Sequence, residues 1–131
     1  MANFNLETPM EQVVTDAPAY LQIRVTELRN AVLRMHPAAY SMAWPKQRII
    51  SFGFGPKKMS EHYFYIGVQT MHINAGFYFG AHLADPHALL EGTGKHLRHC
   101  KVRTVQEAGS QWFFDLIVSA KAERAAASRL M

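Results

Sequence analysis

The sequence predicts an α+β two-layer sandwich, in which a one-sided antiparallel sheet of about four or five strands is packed by N- and C-terminal helices. Three observations carry this expectation. Apolar residues recur at helical spacing from Leu21 to Met35 and again from Phe113 to Ala120. Between about Arg48 and Phe79 the period falls to two, in three short runs separated by glycine, proline and polar residues. The connections between those runs are too short for parallel crossovers, so they form hairpins.

Taken in order, residues 1 to 15 read as a flexible tail, because Asn3, Asn5, Thr8 and Pro9 interrupt any periodicity. A single domain follows over residues 16 to 131. Asp16-Ala17-Pro18 has the character of a helix start, with Asp16 as the cap and Pro18 in the first turn. Leu21, Val25, Leu28, Val32 and Met35 then form one apolar stripe, which His36-Pro37 ends. Pro37 is expected to open a short helix through Tyr40 and Met42. The first strand places Ile50, Phe52 and Phe54 on one side and stops at Gly55-Pro56.

The second strand sets Phe64, Ile66 and Val68 against Tyr63 and Tyr65, and the third sets Ile73, Ala75, Phe77 and Phe79 against His72, Asn74 and Tyr78. One face is therefore aliphatic and phenylalanine-rich, and the other carries tyrosines and polar groups. Asp85-Pro86 is expected to cap a one- or two-turn helix ended by Gly92. Leu97 to Arg103 reads as a fourth strand. Thr104-Val105-Gln106-Glu107 has capping-box spacing ahead of the last helix, within which Gly109 marks a possible break.

Composition excludes several classes. The chain has 131 residues, which suits one domain whose core holds without disulfide or metal staples. Its one cysteine, Cys100, leaves no intrachain disulfide, and no apolar run reaches a membrane span or a signal peptide. The expectation is a cytoplasmic protein. A net charge of +4 favours anionic partners, yet it is well short of the charge density of a nucleic-acid binder.

Three stretches taken together carry a family resemblance. They are Ser51-Phe52-Gly53-Phe54-Gly55-Pro56-Lys57-Lys58-Met59-Ser60-Glu61-His62-Tyr63, then Asn74-Ala75-Gly76-Phe77-Tyr78-Phe79-Gly80-Ala81, then Leu83-Ala84-Asp85-Pro86 running into Leu89-Leu90-Glu91-Gly92-Thr93-Gly94-Lys95-His96-Leu97-Arg98-His99-Cys100-Lys101-Val102. Over about Leu28 to Ile117 the chain resembles the YdhG-like bacterial family, a domain of unknown function. Trp44-Pro45 departs from the tryptophan-glycine-spacer-proline pattern of many members, as a side branch would. The resemblance implies a small fold with a one-sided antiparallel sheet. One branch of the family is described as a frataxin-like iron chaperone, which makes metal handling the alternative function.

Acidic-ridge iron binding needs carboxylates on the first helix, but that helix offers Glu27 against Arg24, Arg29 and Arg34. His82, Asp85, His87, His96, His99 and Cys100 are suitable softer ligands at undiagnostic spacing. Gly92-Thr93-Gly94-Lys95 fails the Walker pattern, with Leu89 where a glycine is required and His96 where a hydroxyl is required. What remains is an anion nest or a plain turn. No serine sits in a nucleophile elbow, and Cys100 reads as an inert strand residue, so no catalytic residues and no cofactor are assigned. The leading expectation is a non-enzymatic binding module for a small anionic ligand or an acidic partner surface. Its residues are Lys57, Lys58 and His62 from one loop and Gly94, Lys95, Arg98 and His99 from another, and it requires both loops to meet at one end of the sheet. Protonation of His62 and His99 is expected to sharpen the site below about pH 6.5. The tyrosine-rich face is a second candidate surface or a solvated one.

Overall fold

The structure, a computed structural model, describes residues 9–129. It is an α+β arrangement: a five-stranded antiparallel sheet in the order β1-β2-β3-β4-β5, with N-terminal and C-terminal helices on one face. The strands are β1 (Tyr40–Trp44), β2 (Ile49–Gly53), β3 (His62–Val68), β4 (Ile73–Phe77) and β5 (Arg98–Val102). The helices are α1 (Pro9–Val14), α2 (Ala19–Met35), the single turns α3 (Lys58–Glu61) and α4 (Val105–Ala108), and α5 (Gln111–Arg129). No helix among the described residues is long and apolar enough to cross a membrane.

The helical stripe lies on the aliphatic face as its spacing requires. Leu21, Val25, Leu28 and Val32 of α2 are buried, as are Phe52, Ile66 and Ile73 of the sheet and Phe113, Leu116, Ile117 and Ala120 of α5. Phe64, Phe77 and Phe113 form an aromatic knot, with ring centroids 5.2 Å apart for Phe64–Phe77 and 6.0 Å for Phe77–Phe113. Thr104 and Glu107 form a reciprocal capping box on α4, and Gly109 ends that turn before α5 begins.

Four local expectations need correction. Residues 1–8 of the expected tail lie outside the described residues, but Pro9–Val14 is helical and buries Val13. Six residues are too few to show a period in sequence. Asp16 does not cap α2: Pro18 is the N-cap without a side-chain bond, and the Gln22 amide instead donates to the carbonyls of Val14 and Ala17. After Pro37 the chain makes a turn and then β1 rather than a helix, pairing Tyr40 with Gly53 and Trp44 with Ile49. Its residues alternate across the sheet, which a strand satisfies and a helix does not.

The fourth correction concerns residues 85–91, where no helix forms. Both Asp85 carboxylate oxygens accept backbone N–H groups, from Leu89 and Leu90 at 2.9 Å. Ala88 turns through a left-handed φ of 52°, and Glu91 then exchanges two backbone hydrogen bonds with His99. A left-handed residue breaks the helical ladder, and the second edge pairing draws the chain out straight.

A bulge between β2 and β3 sets the geometry of the open face. Phe52 lies opposite Phe64 and Gly53 opposite His62, so Tyr63 is the additional residue. Tyr63 thereby turns into the core, and His62 joins the open face beside Ser51. Simple alternation assigns Tyr63 to the polar face, and the bulge reverses it. The approach is so close that a Cβ on Gly53 would sit 2.6 Å from the His62 Cα.

Candidate functional site

Two loops converge at one end of the sheet. The first contains α3. Its Glu61 carboxylate accepts the Lys57 N–H at 2.8 Å and fills the space above Gly55, where a Cβ would lie 2.7 Å from the Glu61 Oε2. The turn thus holds Lys58 toward the open face, with its ammonium 5.4 Å from the Trp44 ring centre and 5.9 Å from that of Tyr78. The carbonyl of Ser60 accepts a hydrogen bond from the Arg124 guanidinium of α5. Arg124 also forms a fork with both carboxylate oxygens of Glu123 and stacks 3.3 Å from the Phe79 ring centre.

The second loop spans residues 94–97. Arg98 closes it by donating from one Nη1 to the carbonyls of Gly94 (2.6 Å) and Leu97 (2.7 Å). The Ala81 N–H donates to the His96 carbonyl, joining the loop to the 3₁₀ turn Gly80–His82. The His82 Nε2 and the His96 Nδ1 stand 2.9 Å apart, and the His96 ring leans on Phe79.

Between the two loops lies an open groove of about 340 Å³, lined by Lys58, Met59, Tyr78, Phe79, Gly94, Lys95, His96 and Leu97. A larger cavity of about 530 Å³ sits between α1, α2 and β1, and no residue expected to bind a ligand lines it.

Under the groove runs a polar chain. The Tyr78 hydroxyl bonds the Ser51 Oγ at 2.8 Å, the Ser51 Oγ bonds the His62 Nδ1 at 2.6 Å, and the His62 Nε2 meets the Gly55 carbonyl at 2.9 Å. A carbonyl only accepts, so Nε2 carries the proton and Nδ1 accepts from Ser51, which in turn accepts from Tyr78. Burial holds the His62 pKa below its ordinary value of 6.5, with the Gly55 hydrogen bond and Glu61 acting in the opposite sense. Burial likewise pushes the Tyr78 phenol up to about 12. Both groups are neutral near neutral pH, and the chain needs no counter-ion.

The expected binding residues therefore separate. Lys58, Gly94 and Lys95 line one groove. Lys57 is exposed beside it, and its backbone serves Glu61. His62 is fully buried beneath the groove, and burial lowers its pKa, so any sharpening by its protonation is displaced to lower pH than expected. Arg98 braces its own loop, and His99 pairs through its backbone with Glu91. Neither Arg98 nor His99 lines the groove.

The sequence reading missed Met59, Phe79 and Leu97 as lining residues. It also missed Arg124, whose one legible signal is an arginine set among small residues on the last helix.

The candidate metal ligands disperse. Asp85 is occupied by the backbone, the His87 ring lies near Trp112, and Cys100 is buried with its thiol pKa pushed up to about 12 by desolvation. Among the described residues no three His, Cys, Asp or Glu side chains come together to hold a metal ion.

The tyrosine-rich face is a packed surface in its own right. A Cβ on Gly76 would overlap the Tyr65 ring, which lies across that glycine 5.3 Å from the ring of Tyr78. Fold and site define a small α+β domain with a cationic, aromatic-lined groove at one end of its sheet. Compared with family models, curated proteins and solved structures, the chain matches none.

Proposed function

We propose that the protein is a non-enzymatic binding domain, a YdhG-like module by the resemblance of its loops, that holds a small anionic ligand in the groove between α3 and the 94–97 loop. The observation that supports this reading is the meeting of Lys58 and Lys95, thirty-seven positions apart, on one groove whose lining contains no carboxylate. Two ammonium groups and the backbone around Gly94 favour an oxyanion through charge-assisted hydrogen bonds. A concave site suits a small ligand better than a flat acidic partner surface. Thermal denaturation with added sulfate or phosphate tests the reading. Saturating anion is expected to raise the melting temperature of the parent protein, and Lys58→Ala combined with Lys95→Ala is expected to abolish that rise. An equal rise in the double variant would reject the site.

Metal handling of the frataxin-like kind is the second reading, and the His82–His96 pair is the observation in its favour. Equilibrium titration with Fe²⁺ and Zn²⁺ tests it, and affinity no better than millimolar would remove it.

A further inference from the structure

We propose that the occupant of the groove is an aromatic anion, a flat ring carrying one oxyanion group, and not a bare inorganic ion. This inference rests on the anion-binding reading above and specifies the rest of the ligand.

The groove is cationic at its rim but apolar over most of its lining. Met59 is 76% exposed and Leu97 43% exposed, and they come from the two different loops. Large apolar side chains set in water on both loops of one concavity mark a surface that gains by being covered. A phosphate or sulfate ion would leave them wet.

The aromatic members are held in place before any ligand arrives. Tyr78 is fixed through its hydroxyl to Ser51, and Phe79 lies under the Arg124 guanidinium with His96 against it. Rigid aromatic surfaces beside a methionine suit a flat ring, which stacks on them and meets the thioether at favourable distance. Lys58, held between Trp44 and Tyr78, and Lys95 supply the charge. Among the described residues the side-chain ion pair is Glu123–Arg124, and neither Lys58 nor Lys95 is paired with a carboxylate there. At about 340 Å³ the groove is at the small end of small-molecule sites, room for one substituted ring.

The test measures binding of phenyl phosphate, inorganic phosphate and benzyl alcohol to the full chain by NMR titration. Phenyl phosphate is expected to bind about tenfold or more tightly than inorganic phosphate. Met59→Ser and Leu97→Ser, at two exposed positions on separate loops, are each expected to reduce that preference by weakening phenyl phosphate more than phosphate. Either variant serves if the other fails to fold. Lys95→Ala is expected to weaken both anions.

Equal affinity for phenyl phosphate and phosphate would overturn the aromatic inference and leave the anion site standing. A preference unchanged in both serine variants would also overturn it, since the ring would then lie elsewhere. Benzyl alcohol binding as tightly as phenyl phosphate would instead overturn the anion reading, and no binding by any of the three would overturn both.

Discussion

His62 shows how much one residue depends on the register around it. Read by alternation it belongs with Phe64 and Ile66 on the core side of β3, yet the bulge turns it to the open face, where both ring nitrogens find partners. The sequence displays the ingredients of this arrangement, Gly53 and Gly55 before the strand, without displaying the extra residue in the pairing. The same slip is why Tyr63 was legible as a tyrosine but not as a core residue, bonded through its hydroxyl to the His36 Nδ1. Ser51 links the buried histidine to Tyr78, so Ser51→Ala leaves two polar groups without a partner. It is expected to cost about 1–3 kcal/mol in urea unfolding. A loss under about 0.3 kcal/mol would show that water replaces the hydroxyl. Leu28→Ala, in the middle of the α2 stripe, is expected to cost about 2–5 kcal/mol by the same measurement, because Leu28 is fully buried.

At the scale of elements, the legible parts are those with a long period or a specific local chemistry. The stripes of α2 and α5 and the capping box ahead of α4 needed no tertiary context to be read. Thr104→Ala removes the acceptor for the Glu107 N–H and is expected to lower stability by about 0.5–2 kcal/mol, seen as a lower melting temperature. Short elements were opaque. The turn after Pro37 and the five residues of β1 are too short to show a period on their own, and it is the pairing with β2 that makes the segment a strand. Asp85 reads as a helix cap in the sequence, yet the two backbone N–H groups its carboxylate accepts belong to a loop and no helix follows. The groove needed two separate connections to be placed in space, and only the lysines and glycines of each announced themselves beforehand. Asp85→Ala frees two amides of the connection that pairs through Glu91 with His99, just beyond the 94–97 loop. Phosphate affinity is expected to fall more than stability does, and isothermal titration of the variant beside its melting curve checks this.

For the whole molecule, the buried His62 and the partly buried His36 set a direction of pH dependence. His36 and His62 both have pKa values lowered chiefly by burial, so the unfolded chain, near 6.5, binds protons that the folded protein refuses. Their contribution to stability is complete above about pH 6.5 and is lost as the pH falls below it toward the lowered folded values. Stability measured by urea unfolding is expected to decline from pH 7 to pH 5, and His62→Gln is expected to flatten part of that slope. A profile rising over the same interval would contradict the protonation states derived from the hydrogen bonds.

The order of the sheet also has a kinetic meaning. In a five-strand meander each strand pairs with its neighbour in sequence, and three of the four pairings close short loops. The fourth, β4 with β5, must first bring together ends separated by residues 78–97. Loop closure becomes entropically harder with length, so that hairpin is expected to zip last, after the first four strands have met their helices. Substitutions in the 78–97 connection should then accelerate unfolding in stopped-flow chevrons while scarcely slowing refolding, whereas substitutions at the β2–β3 bulge should slow refolding. The segment that carries Lys95 would thus be the last to reach its place during folding and the first to leave it under denaturing conditions.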